Sequence, residues 1–214
     1  MSADRPDLSR WGVSAPLRPL PGGARNRVFR TVGLDRDLVF KSTRRSPEAL
    51  KWLDPVQEAA RVAGFHVPGL IPSLRGHLAE SGWTAEPLIP GLPATRSDLA
   101  GLSPRITAFH LLTSALPQRP GFASAADLLS QDRGGDIDLS IMPTGLVTAL
   151  RAAWRPILDH PTCAIHSDLN PGNVILTEDG PVLLDWDEAR RDAPLFDLAC
   201  LGPSNPVADR AAVA

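Results

Sequence analysis

The chain has 214 residues and a net charge of −2, and 43% of its residues are hydrophobic, as in ordinary compact globular domains. The slightly acidic balance excludes a strongly basic nucleic-acid-binding protein, and two cysteines are too few for a disulfide framework. No run of 18 apolar residues occurs, so the sequence predicts no membrane-spanning helix. The polar N-terminus lacks the apolar core of a signal peptide, which favours a cytoplasmic location.

Charge is distributed unevenly along the chain. Residues 1–93 contain 13 Lys and Arg against 9 Asp and Glu, whereas residues 94–214 contain 9 against 15. The asymmetry indicates an anionic ligand for the first half and a cationic ligand for the second, although solvated surface charge would give the same pattern. Only two basic residues are lysines, and one of them, Lys41, lies in an apolar strand pattern. We therefore treat Lys41 as a candidate functional residue.

The first half is predicted to begin with strands and continue with helices. Two β-type runs, 27–32 and 37–42, are separated by a polar turn and predict a hairpin. A short helix is expected over 47–53, followed by a helix that Asp54 caps and Gly64 ends. A strand at 83–88 precedes a Pro- and Gly-rich joint at 89–94.

The second half is predicted to be helical first and β-rich afterwards. A helix starting at Ser103 places one apolar face toward the core, made of Ile106, Phe109, Leu112 and Leu116. A stronger helix is expected from a Thr144 cap to about His160, and three short strands follow. This order predicts an α+β chain in two lobes, residues 1–86 and 94–214, joined by a linker at 87–93.

The strongest chemical signal is the passage AIHSDLNPGNVILTEDGPVLLDWDEARRDAPLFDLA at 164–199. Its polar residues fall at the ends of predicted strands, with Asp168 after one strand, Asn173 before the next and Asp185 after the third. Two carboxylates and an amide form an oxygen-only site that suits Mg²⁺ better than zinc. A carboxylate that does not bind the metal could accept a proton from a substrate hydroxyl, which together with a metal ion is what phosphoryl transfer requires.

The same passage resembles the aminoglycoside phosphotransferase/choline kinase family of small-molecule kinases, which have a protein-kinase-like fold. The resemblance rests on HSDLNPGN, LLDWD and APLFDLA. It implies a small β-rich N-lobe and a mainly helical C-lobe that carries catalytic hairpins. It further implies that Asp168 is the catalytic base, that Asn173 and Asp185 bind Mg²⁺, and that His166 supports the catalytic loop. Asp197 would be structural.

The resemblance also assigns nucleotide-binding residues to the first half of the chain. Gly22 and Gly23 would belong to a loop over the phosphates of ATP or GTP, and Lys41 would bind those phosphates. Glu58 is the expected ion-pair partner of Lys41. Glu86 and Leu88 would contact the nucleobase through their backbone groups.

The sequence departs from the family pattern at Ser167, where glycine is usual, and the region that would form the acceptor pocket is short. The acceptor is therefore predicted only as a small hydroxyl-bearing molecule. The acidic second half and the loop 132–138, which contains three aspartates, favour a cationic acceptor such as an aminoglycoside or an amino alcohol. The alternative is a catalytically degenerate kinase-like module used for nucleotide binding or interaction.

Overall fold

The computed structural model describes residues 4–20 and 25–202, and the chain forms two compact units. The first unit comprises Met1–Lys51 and Pro68–Pro90, and the second comprises Trp52–Val67 and Gly91–Ala214. The segment Trp52–Val67, expected in the first lobe, thus belongs to the second unit. Within 4–20 and 25–202, no helix combines the length and apolar character needed to cross a bilayer.

The first unit is built on a four-stranded antiparallel sheet in the order β1-β2-β3-β4. Its strands are β1 (Leu17–Pro19), β2 (Val28–Thr31), β3 (Leu38–Ser42) and β4 (Trp83–Pro87). The β2–β3 pairing confirms the predicted hairpin. The rings of Trp11 and Phe40 meet edge to face, and Trp83 and Ala85 complete this buried core of the first unit. This core holds β3, the strand that carries Lys41.

Two helices follow the hairpin. The first is α1 (Pro47–Lys51), whose N-terminus is capped by the Ser46 hydroxyl, and the second is α2 (Leu53–Val62). The predicted Asp54 cap is wrong, because Asp54 lies inside the first turn of α2 and its N-terminus has no side-chain cap. Gly64 follows α2 with a φ of 94°, a left-handed conformation that glycine adopts without strain.

The second unit packs its helices and short sheets around one large apolar core and two smaller ones, and α5 packs against the smaller ones. Its remaining helices are α3 (Arg96–Ala100), α4 (Ser103–Leu112), α5 (Thr144–Trp154) and α6 (Leu195–Leu201). Ile106 and Phe109 of α4 are fully buried, as predicted, but Leu112 is exposed because Phe109, His110 and Thr113 form the inward face. Thr144 is the first residue of α5 and not its cap, since Pro143 precedes it there.

The strands of the second unit bring the motif residues to neighbouring positions. They are β5 (Leu92–Pro93), β6 (Arg133–Gly134), β7 (Ile137–Asp138), β8 (Cys163–Ile165), β9 (Val174–Thr177), β10 (Gly180–Leu183) and β11 (Arg190–Asp192). They pair in the orders β10-β9-β5, β11-β8 and β6-β7. Gly91 packs so tightly on β9 that a Cβ atom there would lie 2.4 Å from Ile175 Cγ2. The α+β architecture is therefore confirmed, with the motif loops at the ends of β8, β9 and β10.

Candidate active site

The loop that carries Asp168 is anchored by a buried carboxylate from another helix. Asp197, in the first turn of α6, accepts the backbone N–H groups of His166 and Ser167, each at 2.8 Å. Its Oδ2 also lies 2.9 Å from His110 Nε2 of α4. All three contacts converge on a side chain that is fully buried, so a change in any of them would leave charge unsatisfied. Asp197 thereby fixes the start of the loop.

His166 is held as a neutral, buried connector. Its Nε2 lies 2.7 Å from the carbonyl oxygen of Leu184, and its Nδ1 accepts the backbone N–H of Asp168 at 3.3 Å. The first contact requires a proton on Nε2 and the second requires a lone pair on Nδ1. Burial lowers the pKa of His166, while the nearby Asp197 charge opposes that shift. The geometry supports a positioning role for His166 and not proton transfer.

Ser167 adopts the left-handed conformation that the glycine of the family pattern would favour. Its φ is 70°, which is disfavoured for a residue with a Cβ atom. The Ser167 hydroxyl accepts a hydrogen bond from Arg190, whose Nε binds Asp192 at 3.0 Å. Asp192 is itself buried and accepts the backbone N–H groups of Ala125 and Ala193. These polar contacts hold Ser167 in place despite its conformation.

Two amide side chains orient the carboxylate of Asp168. Asn170 Nδ2 donates to Oδ1 at 2.9 Å, and Asn173 Nδ2 donates to Oδ2 at 2.8 Å. The Asn170 oxygen caps the turn at Pro171–Asn173 by accepting the N–H of Gly172. Since its nitrogen faces Asp168, Asn173 presents its amide oxygen as the atom available to a cation. The sequence analysis did not single out Asn170, although an Asn before Pro-Gly is typical of such a turn.

Backbone pairing connects this loop to Asp185. Leu184 donates its N–H to the carbonyl oxygen of Asn173 at 2.9 Å, and its own carbonyl oxygen is the partner of His166. Asp185 follows directly and has a left-handed conformation, with φ 57° and ψ 67°. The second unit therefore brings His166, Asp168 and Asn173 into contact and attaches the residue before Asp185 to two of them.

An acidic cluster joins two residues just beyond Asp185 to one from the 132–138 loop. Carboxylate oxygens of Asp136, Asp187 and Glu188 all lie within 4.8 Å of one another. The other two aspartates of the 132–138 loop turn elsewhere, because Asp132 pairs with Arg151 at 2.8 Å and Asp138 pairs with Arg133 at 3.0 Å. Asp136 is thus the aspartate of this loop that joins the motif region.

The predicted nucleotide-binding residues are divided among different parts of the chain. Lys41 is half-buried on β3, opposite Val28 of β2 and Thr84 of β4. Glu58 lies on α2, in the second unit, where its exposed carboxylate pairs with Arg61 at 3.1 Å. Gly22 and Gly23 lie outside the described residues.

Glu86 and Leu88 lie at the end of the first unit. Glu86 is on β4, opposite Val39 of β3. The backbone N–H of Leu88 donates to the carbonyl oxygen of Asp37 at 2.8 Å. Because that donor is already used, Leu88 would offer its carbonyl oxygen, and not its N–H, to a nucleobase.

Comparisons with known proteins find a matching family model. Residues 16–214 match the model of the phosphotransferase enzyme family. No protein with a curated description matches the sequence significantly.

Solved structures of several kinases share the fold. An amicoumacin kinase bound to AMP-PNP and Ca²⁺ is similar over 88% of this chain and 66% of its own, with 14% identity and a TM-score of 0.65. The choline kinase LicA from Streptococcus pneumoniae is similar over 88% of this chain and 69% of its own, with 16% identity and a TM-score of 0.57. A choline/ethanolamine kinase family protein from Mesorhizobium loti is similar over 89% of this chain and 64% of its own, with 22% identity and a TM-score of 0.54. The chain spans about two thirds of the length of these proteins.

The environment of His166 predicts a specific pH dependence of stability. In the unfolded chain its pKa is about 6.5, whereas burial lowers it in the native protein. The unfolded state therefore binds an extra proton as the pH falls below about 6.5, and the free energy of unfolding should decrease there. The His166→Gln variant lacks this proton, so urea unfolding from pH 7.5 to 5.5 should show a shallower decrease. Parallel curves for the two proteins would contradict the buried, neutral state of His166.

Proposed function

Since this chain belongs to the phosphotransferase enzyme family, we propose that it transfers the γ-phosphate of ATP or GTP to a hydroxyl of a small molecule, with Mg²⁺ as cofactor. Structures of similar fold contain AMP-PNP with Ca²⁺, or ADP with hygromycin B, and support a site for nucleotide, divalent cation and acceptor. The residues of this chain must then supply the base, the metal ligands and the phosphate-binding groups.

The orientation of Asp168 is the observation that carries the proposal. Both carboxylate oxygens accept amide hydrogens, from Asn170 and Asn173, so the carboxylate is held in one orientation before any substrate binds. A fixed carboxylate is suited to act as a general base toward a hydroxyl that approaches along a remaining lone pair. The proton of the acceptor hydroxyl passes to Asp168. The acceptor oxygen bonds to the γ-phosphorus while the bond from that phosphorus to the β–γ bridging oxygen breaks.

The donor set fits Mg²⁺. Asn173 offers its amide oxygen and Asp185 offers a carboxylate, and hard oxygen donors are the ligands that Mg²⁺ prefers. When bound, the ion would neutralise charge on the nucleotide phosphates. Asp185 follows Leu184, which His166 and Asn173 hold through its backbone, so both proposed ligands are tied to one framework.

Lys41 is proposed to bind the nucleotide phosphates from the first unit. It is one of only two lysines in the chain, and its backbone is fixed on both sides within the sheet. A lysine ammonium is a compact charge suited to phosphate oxygens. The role of Glu58 stays a prediction of the sequence, since its carboxylate pairs with Arg61. Gly22, Gly23, Glu86 and Leu88 remain proposed nucleotide contacts.

The acidic cluster supports a cationic acceptor. Three carboxylates from two segments, at Asp136, Asp187 and Glu188, concentrate negative charge next to the segment that carries Asp185. Such a concentration attracts ammonium groups, as found in aminoglycosides and in amino alcohols. The alternative function, a nucleotide-binding or interaction module without transfer, shares the nucleotide site but does not require Asp168.

Binding and transfer should respond differently to two substitutions. Saturating MgATP at about 100 times Kd should stabilise the unmodified chain by about 2.7 kcal/mol, and EDTA should abolish the stabilisation. Asp185→Ala should remove this shift in thermal unfolding, whereas Asp168→Asn should keep it and reduce transfer by about 10²-fold or more.

Transfer is measured by release of ADP with choline, ethanolamine, hygromycin B and spectinomycin as acceptors. Turnover that survives Asp168→Asn would exclude Asp168 as the base. A MgATP shift without turnover on any acceptor would favour the non-catalytic module.

Lys41 should act on the phosphates and not on the nucleoside. Lys41→Ala should weaken ATP binding by about tenfold or more and leave adenosine binding unchanged, because the lost charge faces the phosphates. Lys51→Ala, which alters the only other lysine, on an exposed position of α1, is the matched control and should leave both affinities unchanged. Isothermal titration calorimetry measures the affinities of each variant for ATP and for adenosine. Equal losses for the two ligands would place Lys41 away from the phosphates.

The acidic cluster should determine the affinity for the acceptor. Asp136→Asn should raise the KM for a cationic acceptor by about tenfold at low salt and leave the KM for ATP unchanged. Asp132 lies in the same loop but outside the acidic cluster, so Asp132→Asn should change the acceptor KM by less than about twofold. Steady-state kinetics at two ionic strengths tests both variants. Equal effects of the two substitutions would argue against a role of the cluster in acceptor binding.

A further inference from the structure

The segment after Asp185 is held by a buried arginine that sequence analysis did not single out. Arg119 lies in the loop after α4 and is only 1% exposed. Its Nη1 donates to the carbonyl oxygens of Trp186, Asp187 and Ala189, at 3.1, 2.9 and 2.9 Å. These carbonyls belong to the single turn that follows Asp185. One nitrogen thus sets the orientation of most peptide groups in that turn.

The neighbouring residue extends the same contact. The Gln118 side chain donates from Nε2 to the carbonyl oxygen of Arg191 and accepts the N–H of Arg191 at Oε1, both at 2.9 Å. The same Oε1 accepts the backbone N–H of Arg119 at 2.8 Å. Gln118 and Arg119 therefore hold the backbone of 186–191 through adjacent hydrogen bonds.

Aromatic rings fix the guanidinium group itself. Its central carbon lies 4.4 Å from the ring centroid of Phe122 and 5.9 Å from that of Trp52. Trp52 is in turn held by a hydrogen bond from its Nε1 to the carbonyl oxygen of Pro117. A planar cation that contacts two aromatic rings and donates to several carbonyl oxygens has one favourable orientation. Lysine has the charge but lacks this geometry.

The turn needs such support because Asp185 is in a left-handed conformation. Its φ of 57° is disfavoured for a residue with a Cβ atom, so its surroundings must maintain it. We propose that Arg119, assisted by Gln118, is a positioning residue that holds the 186–189 turn and thereby aims the Asp185 carboxylate at the divalent cation. This inference rests on the proposed function, in which Asp185 binds that cation.

The test measures cation binding directly. Mn²⁺ is titrated into the protein with AMP-PNP, and free Mn²⁺ is followed by electron paramagnetic resonance. Arg119→Lys should raise the half-saturating Mn²⁺ concentration about tenfold, as is usual when the support of a metal ligand is lost. Gln118→Asn, whose shorter side chain cannot span to Arg191, should raise it by a smaller factor. Thermal unfolding without ligands confirms that each variant is folded.

Arg151→Lys is the matched control. Arg151 also donates to backbone carbonyls, those of Leu128 and Gln131, but these do not adjoin Asp185. It should leave the half-saturating concentration unchanged even if the melting temperature falls. Unchanged Mn²⁺ binding in folded Arg119→Lys and Gln118→Asn variants would overturn the inference while the proposed function stands. Failure of the unmodified chain to bind Mn²⁺ with AMP-PNP would overturn the proposed function and this inference together.

Discussion

The carboxylate of Asp197 is the contact on which the arrangement of the second unit depends. It is fully buried, and it is satisfied only while two backbone N–H groups of the 166–167 loop and the ring of His110 surround it. Removing a charge from water is costly unless such partners are all present. Any arrangement of the second unit that loses one of these partners is therefore less stable. Helices α4 and α6 and the end of β8 are thereby joined at one point. The position of Asp168 follows from that junction.

From this junction, the same physical device is used repeatedly. Asp197 binds the backbone before Asp168, His166 binds the carbonyl group before Asp185, and Arg119 binds the carbonyl groups after it. In each case a buried polar side chain holds main-chain atoms and leaves the proposed catalytic side chain to face its ligand. Polar networks of this kind specify one geometry because each member is costly to leave unsatisfied. Two residues with a left-handed backbone, Ser167 and Asp185, lie within this support.

Local sequence patterns predicted the parts of the molecule that local forces determine. The β2–β3 hairpin and the strands that flank the motif follow from apolar runs and turn residues, and the polar motif residues lie at the ends of these strands as predicted. The exposure of Leu112 was not predicted, because tertiary packing turned the inward face of α4 by part of a turn. The contacts of Arg119 with 186–189 and of Asp136 with Asp187 join residues about fifty or more positions apart, and no local pattern marks them.

Gly91 has a consequence for how this sequence can diverge. Gly91 is the residue at which the chain re-enters the second unit. A Cβ atom there would lie 2.4 Å from Ile175 Cγ2 and 2.8 Å from the carbonyl oxygen of Leu176. A smaller residue at 175 could relieve the first overlap, but the second involves main chain and persists whatever side chain β9 carries. A single substitution of Gly91 should therefore not be tolerated. Related sequences should keep glycine at this position even where the surrounding prolines and leucines differ. An insertion or deletion that moves the whole segment relative to β9 would remove both overlaps and with them the need for glycine.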